Sequence, residues 1–166
     1  MNVRNSTLLI VDDTPANLIM LCTFLNKVGF RVNIAESGED AIEQINYTIP
    51  DLILLDVMMP GMDGFETCQH LKANQKTCDI PVIFMTALSE TEDKIKGLKT
   101  GAVDYVIKPV QQEELLARVT THLTLSAQQK ILEQQNSELE AFAHTVAHDL
   151  KSPLGEIGRA SCRERV

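Results

Sequence analysis

Residues 52–64 read LILLDVMMPGMDG. Four apolar residues run without a polar break, Asp56 follows them, and Pro60, Gly61 and Gly64 supply turn chemistry. An apolar run bounded in this way is a strand covered on both faces, as in a parallel sheet between helical layers. LLIV at 8–11, VIFM at 82–85 and YVI at 105–107 repeat the pattern, and RVNIA at 31–35 alternates as an edge strand does. Amphipathic stretches occupy 15–28, 38–47, 64–73, 90–99 and a segment from about 111 onward. Strand and helix alternate five times, which with right-handed crossovers predicts a doubly wound α/β sandwich over residues 1–123.

Such sheets hold their ligands at the carboxyl ends of the strands. The polar residues that end the apolar runs are Asp12 and Asp13, then Asp56, Thr86 and Lys108. Taken singly they are unremarkable: Asp12 and Asp13 have the character of a strand-to-helix cap. Together they put three carboxylates, a hydroxyl and an ammonium on one rim. Like charges so close disfavour joint ionisation and raise at least one pKa, which a divalent cation relieves. Oxygen-only ligands suit Mg²⁺, and Lys108 adds a positive point charge. Asp56 then reads as the nucleophile of a phosphoryl transfer, with Thr86 donating its hydroxyl to a phosphoryl oxygen.

The bulk properties narrow the classes. A formal charge of -8 over 166 residues argues against nucleic-acid binding, which depends on attraction to phosphate backbones. No apolar run approaches the length of a membrane helix, and the opening MNVRNSTLLIVDD is cut short by two aspartates, so the expectation is a cytoplasmic protein. Cys22, Cys68, Cys78 and Cys162 show no CxxC spacing and read as reduced thiols.

LLIVDD, LILLDVMMPGMDG, VIFMTA and YVIKP resemble, in order and spacing, the receiver domains of two-component response regulators. The resemblance covers residues 6 to about 123. It implies a flavodoxin-like five-stranded parallel sheet of order 2-1-3-4-5 and phosphorylation of Asp56 by a phosphohistidine-bearing kinase or phosphotransfer protein. It also implies Mg²⁺ held by Asp13, Asp56 and the Met58 carbonyl, with Asp12 acting through metal-bound water. Thr86 and Tyr105 match the family's switch pair, and a cis peptide is implied between Lys108 and Pro109.

From Gln111 no proline appears until Pro153 and no glycine until Gly155, so one long helix follows the receiver. Leu125, Leu132, Leu139 and Val146 recur every seven residues, with Gln129, Asn136, Ala143 and Leu150 four further on, as in a coiled coil. Residues 124–143 read as a coiled-coil linker that joins two copies in a homodimer. ELEAFAHTVAHDLKSPLGEI at 138–157 resembles the start of the dimerisation and phosphotransfer domain of sensor histidine kinases. That resemblance implies His148 as a second phosphoacceptor in a longer parent protein, activated by Asp149, and makes 144–157 a truncated start of that domain. Residues 158–166, GRASCRERV, read as a non-native tail. A competing class is a dimerising interaction module without functional phosphorylation. A small-molecule phosphatase would need an acid/base carboxylate two residues after Asp56, where Met58 stands.

Overall fold

The computed structural model describes residues 3–87 and 96–149, the last two by backbone only. Five strands, β1 (Thr7–Val11), β2 (Arg31–Ala35), β3 (Leu52–Asp56), β4 (Val82–Thr86) and β5 (Asp104–Ile107), form one parallel sheet of order β2-β1-β3-β4-β5. The helices are α1 (Pro15–Val28), α2 (Gly38–Ile45), α3 (Gly64–Ala73) and α4 (Gln112–Asp149), and residues 96–99 are also helical. The fold is the expected flavodoxin-like sandwich.

The sheet has helices on both faces because each strand divides its side chains between them. Leu8, Ile10, Leu52, Leu54, Ile83 and Met85 pack with α1 through Leu18, Leu21 and Leu25, and with α4 through Leu115, Val119 and Leu123. The alternate residues Leu9, Val11, Ile53, Leu55, Val82 and Phe84 pack with Ala41 and Ile45 of α2 and with Phe65, Cys68 and Leu71 of α3. β3 and β4 are buried along their whole length. β2 lies at the edge as expected, but its burial does not alternate: Ile34 is exposed, Val32 and Asn33 are both half-buried, and Ala35 alone of its residues is buried.

The helix ends follow local chemistry. Pro15 opens α1, and Gly29, at φ 121°, closes it by donating its N–H to the Leu25 and Asn26 carbonyls. Ser37 caps α2 and Asp63 caps α3, each accepting the N–H three residues on. α2 stops at Ile45, two residues short of expectation. Asn46 and Tyr47 donate to Glu43 and Gln44, tightening the last turn ahead of Pro50. Cys22 and Cys68 are free thiols, and Cys162 lies outside the described residues.

Candidate functional site

The site is a product of strand register. Val11 pairs with Leu55, Asp56 with Met85, and Thr86 with Ile107. The strands therefore end level with one another, and Asp12, Asp13, Asp56, Thr86 and Lys108 all reach one rim. β3 and β4 each run one residue past their apolar stretch, so Asp56 and Thr86 are held by the sheet itself. The peptide between Lys108 and Pro109 is cis, as the resemblance implies.

Lys108 Nζ lies 3.1 Å from Asp12 Oδ2 and 3.1 Å from Asp56 Oδ2. Asp12 is fully buried and Asp56 is 4% exposed, while Asp13 is exposed. One carboxylate oxygen from each of the three lies within 4.8 Å of the others. Asp12 is the best restrained: Oδ1 accepts the Thr14 N–H at 2.9 Å, and Oδ2 accepts the Asn17 side-chain amide at 3.3 Å besides Lys108. It serves the strand-to-helix turn and the acidic cluster at once. The Met58 N–H donates to Asp56 Oδ1 at 3.3 Å, which folds the chain after β3 back over the aspartate.

Burial, and next the charge of Asp12, push the Asp56 carboxyl up to about 6, although Lys108 and the Met58 N–H oppose the rise. The Lys108 ammonium is pulled down by burial, but its hydrogen bonds and charge contacts with Asp56 and Asp12 outweigh that and leave it above its ordinary value. One cation facing two desolvated carboxylates leaves negative charge in excess. A small divalent cation with oxygen ligands fits that excess.

Close approach is built into the turn after β3. A side chain at Gly64 would press on the Asp56 carbonyl oxygen and lie 2.8 Å from Val57 Cα. The Gly64 N–H instead donates to the Val57 carbonyl at 2.9 Å. Gly61 adopts φ 75°, and Glu39 of α2 accepts the neighbouring Met62 N–H at 3.3 Å.

Thr86 is buried, and its carbonyl accepts the Lys108 N–H at 2.7 Å. Tyr105 is half-buried and lines one narrow cavity together with Thr86, Val57, Phe65 and Phe84. His148 is helical, and its side chain lies outside the described residues, as do Leu150 and all of 151–166. The seam residues Leu125, Leu132, Leu139 and Val146 are exposed on α4.

The sequence reading missed a second polar cluster. Asp104 accepts Arg118 Nη1 at 2.8 Å on both carboxylate oxygens, His122 Nε2 lies 2.9 Å from Oδ2, and the Tyr105 N–H donates to Oδ1 at 2.8 Å. Burial alone would raise the Asp104 carboxyl, but the hydrogen bonds from His122 and Arg118 hold it below the ordinary carboxylate range. The only trace in the sequence is a basic pair four residues apart on one helix face, which any solvated helix could show.

Residues 8–120 match the family described as response regulator receiver domain. The chain is 39% identical over 142 residues to the phosphate regulon transcriptional regulatory protein PhoB of Escherichia coli, a match covering 84% of this chain and 62% of that protein. The chain thus spans less than two thirds of that relative's length. The crystal structure of a putative response regulator from Chloroflexus aurantiacus superposes with a TM-score of 0.69 at 39% identity, over 72% of this chain and 98% of that one. The receiver domain of a signal transduction histidine kinase from Syntrophus aciditrophicus does so with a TM-score of 0.67 at 35% identity, over 72% and 90%. Among the described residues no helix is long and apolar enough to cross a membrane. The chain belongs to the response regulator receiver domain family, the phosphoacceptor domains of two-component signalling.

Proposed function

We propose that Asp56 accepts a phosphoryl group from a partner phosphohistidine in a Mg²⁺-dependent reaction. The observation that carries this reading is the pair of 3.1 Å contacts by which one ammonium, Lys108, faces both Asp12 and Asp56 on a rim with three clustered carboxylates. A carboxylate oxygen of Asp56 attacks phosphorus as the phosphorus–nitrogen bond breaks, and the electron pair leaves on the imidazole nitrogen. Catalysis by the chain is then positioning and charge stabilisation. The sheet and the Met58 N–H hold the nucleophile, and Lys108 is placed to receive charge on the phosphoryl oxygens.

Mg²⁺ offsets the charge of nucleophile and phosphoryl group when bound. Its direct ligands are assigned to Asp13, Asp56 and the Met58 carbonyl. Asp12, already committed to Thr14, Asn17 and Lys108, acts through water. Thr86 and Tyr105 are the switch pair, and their shared cavity supports that role.

The output reached through α4 is a histidine kinase dimer, with a second copy of this chain as the helix's partner. HDLKSPL, with His148 as its own phosphoacceptor, supports this over a DNA-binding output. The Syntrophus neighbour is the receiver of a kinase, while the PhoB relative is a transcriptional regulatory protein. Incubation with Mg²⁺ and a small phosphodonor is expected to add one phosphoryl mass, abolished in Asp56→Asn. No addition with any donor would favour a dimerising module without phosphorylation.

A further inference from the structure

The segment between β3 and α3, residues 57–63, carries Met58, whose N–H holds Asp56 Oδ1 and whose carbonyl is assigned to the metal. Both of its roots are fixed. The Gly64 N–H donates to the Val57 carbonyl at 2.9 Å, and Asp63 caps α3 by accepting the Glu66 N–H at 2.8 Å. These bonds close the segment into a loop but do not reach its tip at Pro60, Gly61 and Met62. There the chain meets α2, an element the phosphotransfer chemistry leaves unused. Glu39 Oε1 accepts the Met62 N–H at 3.3 Å, and it lies so near Gly61 that a Cβ added there would stand 3.4 Å from it.

α2 can serve as a strut because its own first turn is pinned. A Cβ at Gly38 would press into the Thr67 hydroxyl and lie 3.3 Å from Met62 Cγ and Sδ. Thr67 is buried, and its hydroxyl already donates to the Asp63 carbonyl at 2.8 Å, so it has little room to yield. Ser37 fixes the start of the helix by accepting the Asp40 N–H at 3.1 Å. Glu39 itself is exposed, but it sits in the first helical turn, where the positive end of the helix favours its ionised, acceptor-only form.

We infer that Glu39 is a positioning residue of the metal site: by holding Met62 it fixes the loop on which Met58 presents its carbonyl to Mg²⁺. This rests on the reading above that Met58 and the aspartates take Mg²⁺, and it adds a residue outside the ligand set. The reason is preorganisation. Mg²⁺ demands near-ideal geometry of its ligands, and a loop that the ion must first order gives up part of the binding energy. Gly61, at φ 75°, makes the tip intrinsically freer than other residues would. The bond from Glu39 offsets that freedom from outside the loop. What matters on this account is an acceptor oxygen at Met62, so an uncharged oxygen in the same place suffices.

The test is calorimetric titration of the full chain with Mg²⁺ alone, at neutral pH and without a phosphodonor. Glu39→Ala is expected to weaken binding by about three- to tenfold, the worth of one hydrogen bond. Glu39→Gln, which keeps a side-chain oxygen, is expected to hold the parent's affinity. Amide exchange followed by NMR should quicken at Met62 and Met58 in Glu39→Ala and not in Glu39→Gln. Equal Mg²⁺ affinity in parent and Glu39→Ala would overturn the inference even if the variant unfolds at lower urea, because a merely structural strut costs stability without touching the metal. Equal weakening in Glu39→Ala and Glu39→Gln would overturn it as well, by showing that charge and not the bond is at work. A parent chain that takes up no Mg²⁺ would instead overturn the metal reading on which the inference stands.

Discussion

Replacing Asp56 with asparagine is expected to stabilise the metal-free protein at alkaline pH. The carboxyl titrates at 3.8 in an unfolded chain and at about 6 in the folded one. Between those values the folded state keeps a proton that the unfolded state has lost, so stability falls as pH rises through the window and levels off above it. At roughly 1.4 kcal/mol per pH unit, the loss amounts to about 3 kcal/mol, a large share of the 5–15 kcal/mol typical of a domain. With Asp56 only 4% exposed, solvent screens little of it. Asparagine keeps the shape and an oxygen for Lys108 but never ionises. Urea unfolding in EDTA, run from pH 4 to pH 8, should show Asp56→Asn more stable by about 3 kcal/mol at pH 8, with the gap closing toward pH 4. Saturating Mg²⁺ should restore the wild type, by about 2.7 kcal/mol at a hundred times its Kd, and do little for the variant. A variant no more stable at pH 8, or a gap independent of pH, would refute the reasoning.

Lys108→Ala strips the cation that bridges the two buried carboxylates, and in EDTA at pH 8 should cost about 3 kcal/mol in urea unfolding. Its phosphorylation should fall as well, read by mass. Gly64→Ala forces a methyl group against the Asp56 and Val57 backbone, which cannot swing aside as a side chain can. A loss of about 2 kcal/mol in urea unfolding is expected. Asp104→Asn removes a carboxyl held below its ordinary value, whose stabilisation is complete above the unfolded pKa and is lost as pH falls through the folded one. Acid unfolding monitored by circular dichroism should therefore separate variant from parent at neutral pH and bring them together well below pH 4.

Which parts of the fold were legible follows from where the determinants lie. Both-faced burial writes itself as LILL or VIFM, and strand polarity then fixes which end carries the polar residues, so the rim could be assembled without coordinates. Strand ends were harder: Asp56 and Thr86 belong to the sheet although neither is apolar, because backbone pairing does not depend on side-chain polarity. The Asp104 cluster was out of reach. Residues 14 and 18 positions apart meet there because β5 and the first turns of α4 pack antiparallel to one another, a tertiary relation with no periodicity in the sequence. The Glu39 brace on Met62 escaped for the same reason. The 90–99 helix is seen only from residue 96 onward.

The carboxylate of Asp104 grips α4 at its point of departure and receives the backbone N–H of Tyr105, the residue that shares a cavity with Thr86. From His122 to Asp149 the helix runs roughly 40 Å at 1.5 Å per residue, all of it beyond that fulcrum. A tilt of about 5° at the fulcrum swings the far end through about 3.5 Å, comparable to the spacing of packed side chains. Small displacements beside the phosphoacceptor thus have a long arm on which to act, and two such arms lying side by side would convert a tilt into a change of spacing between their tips.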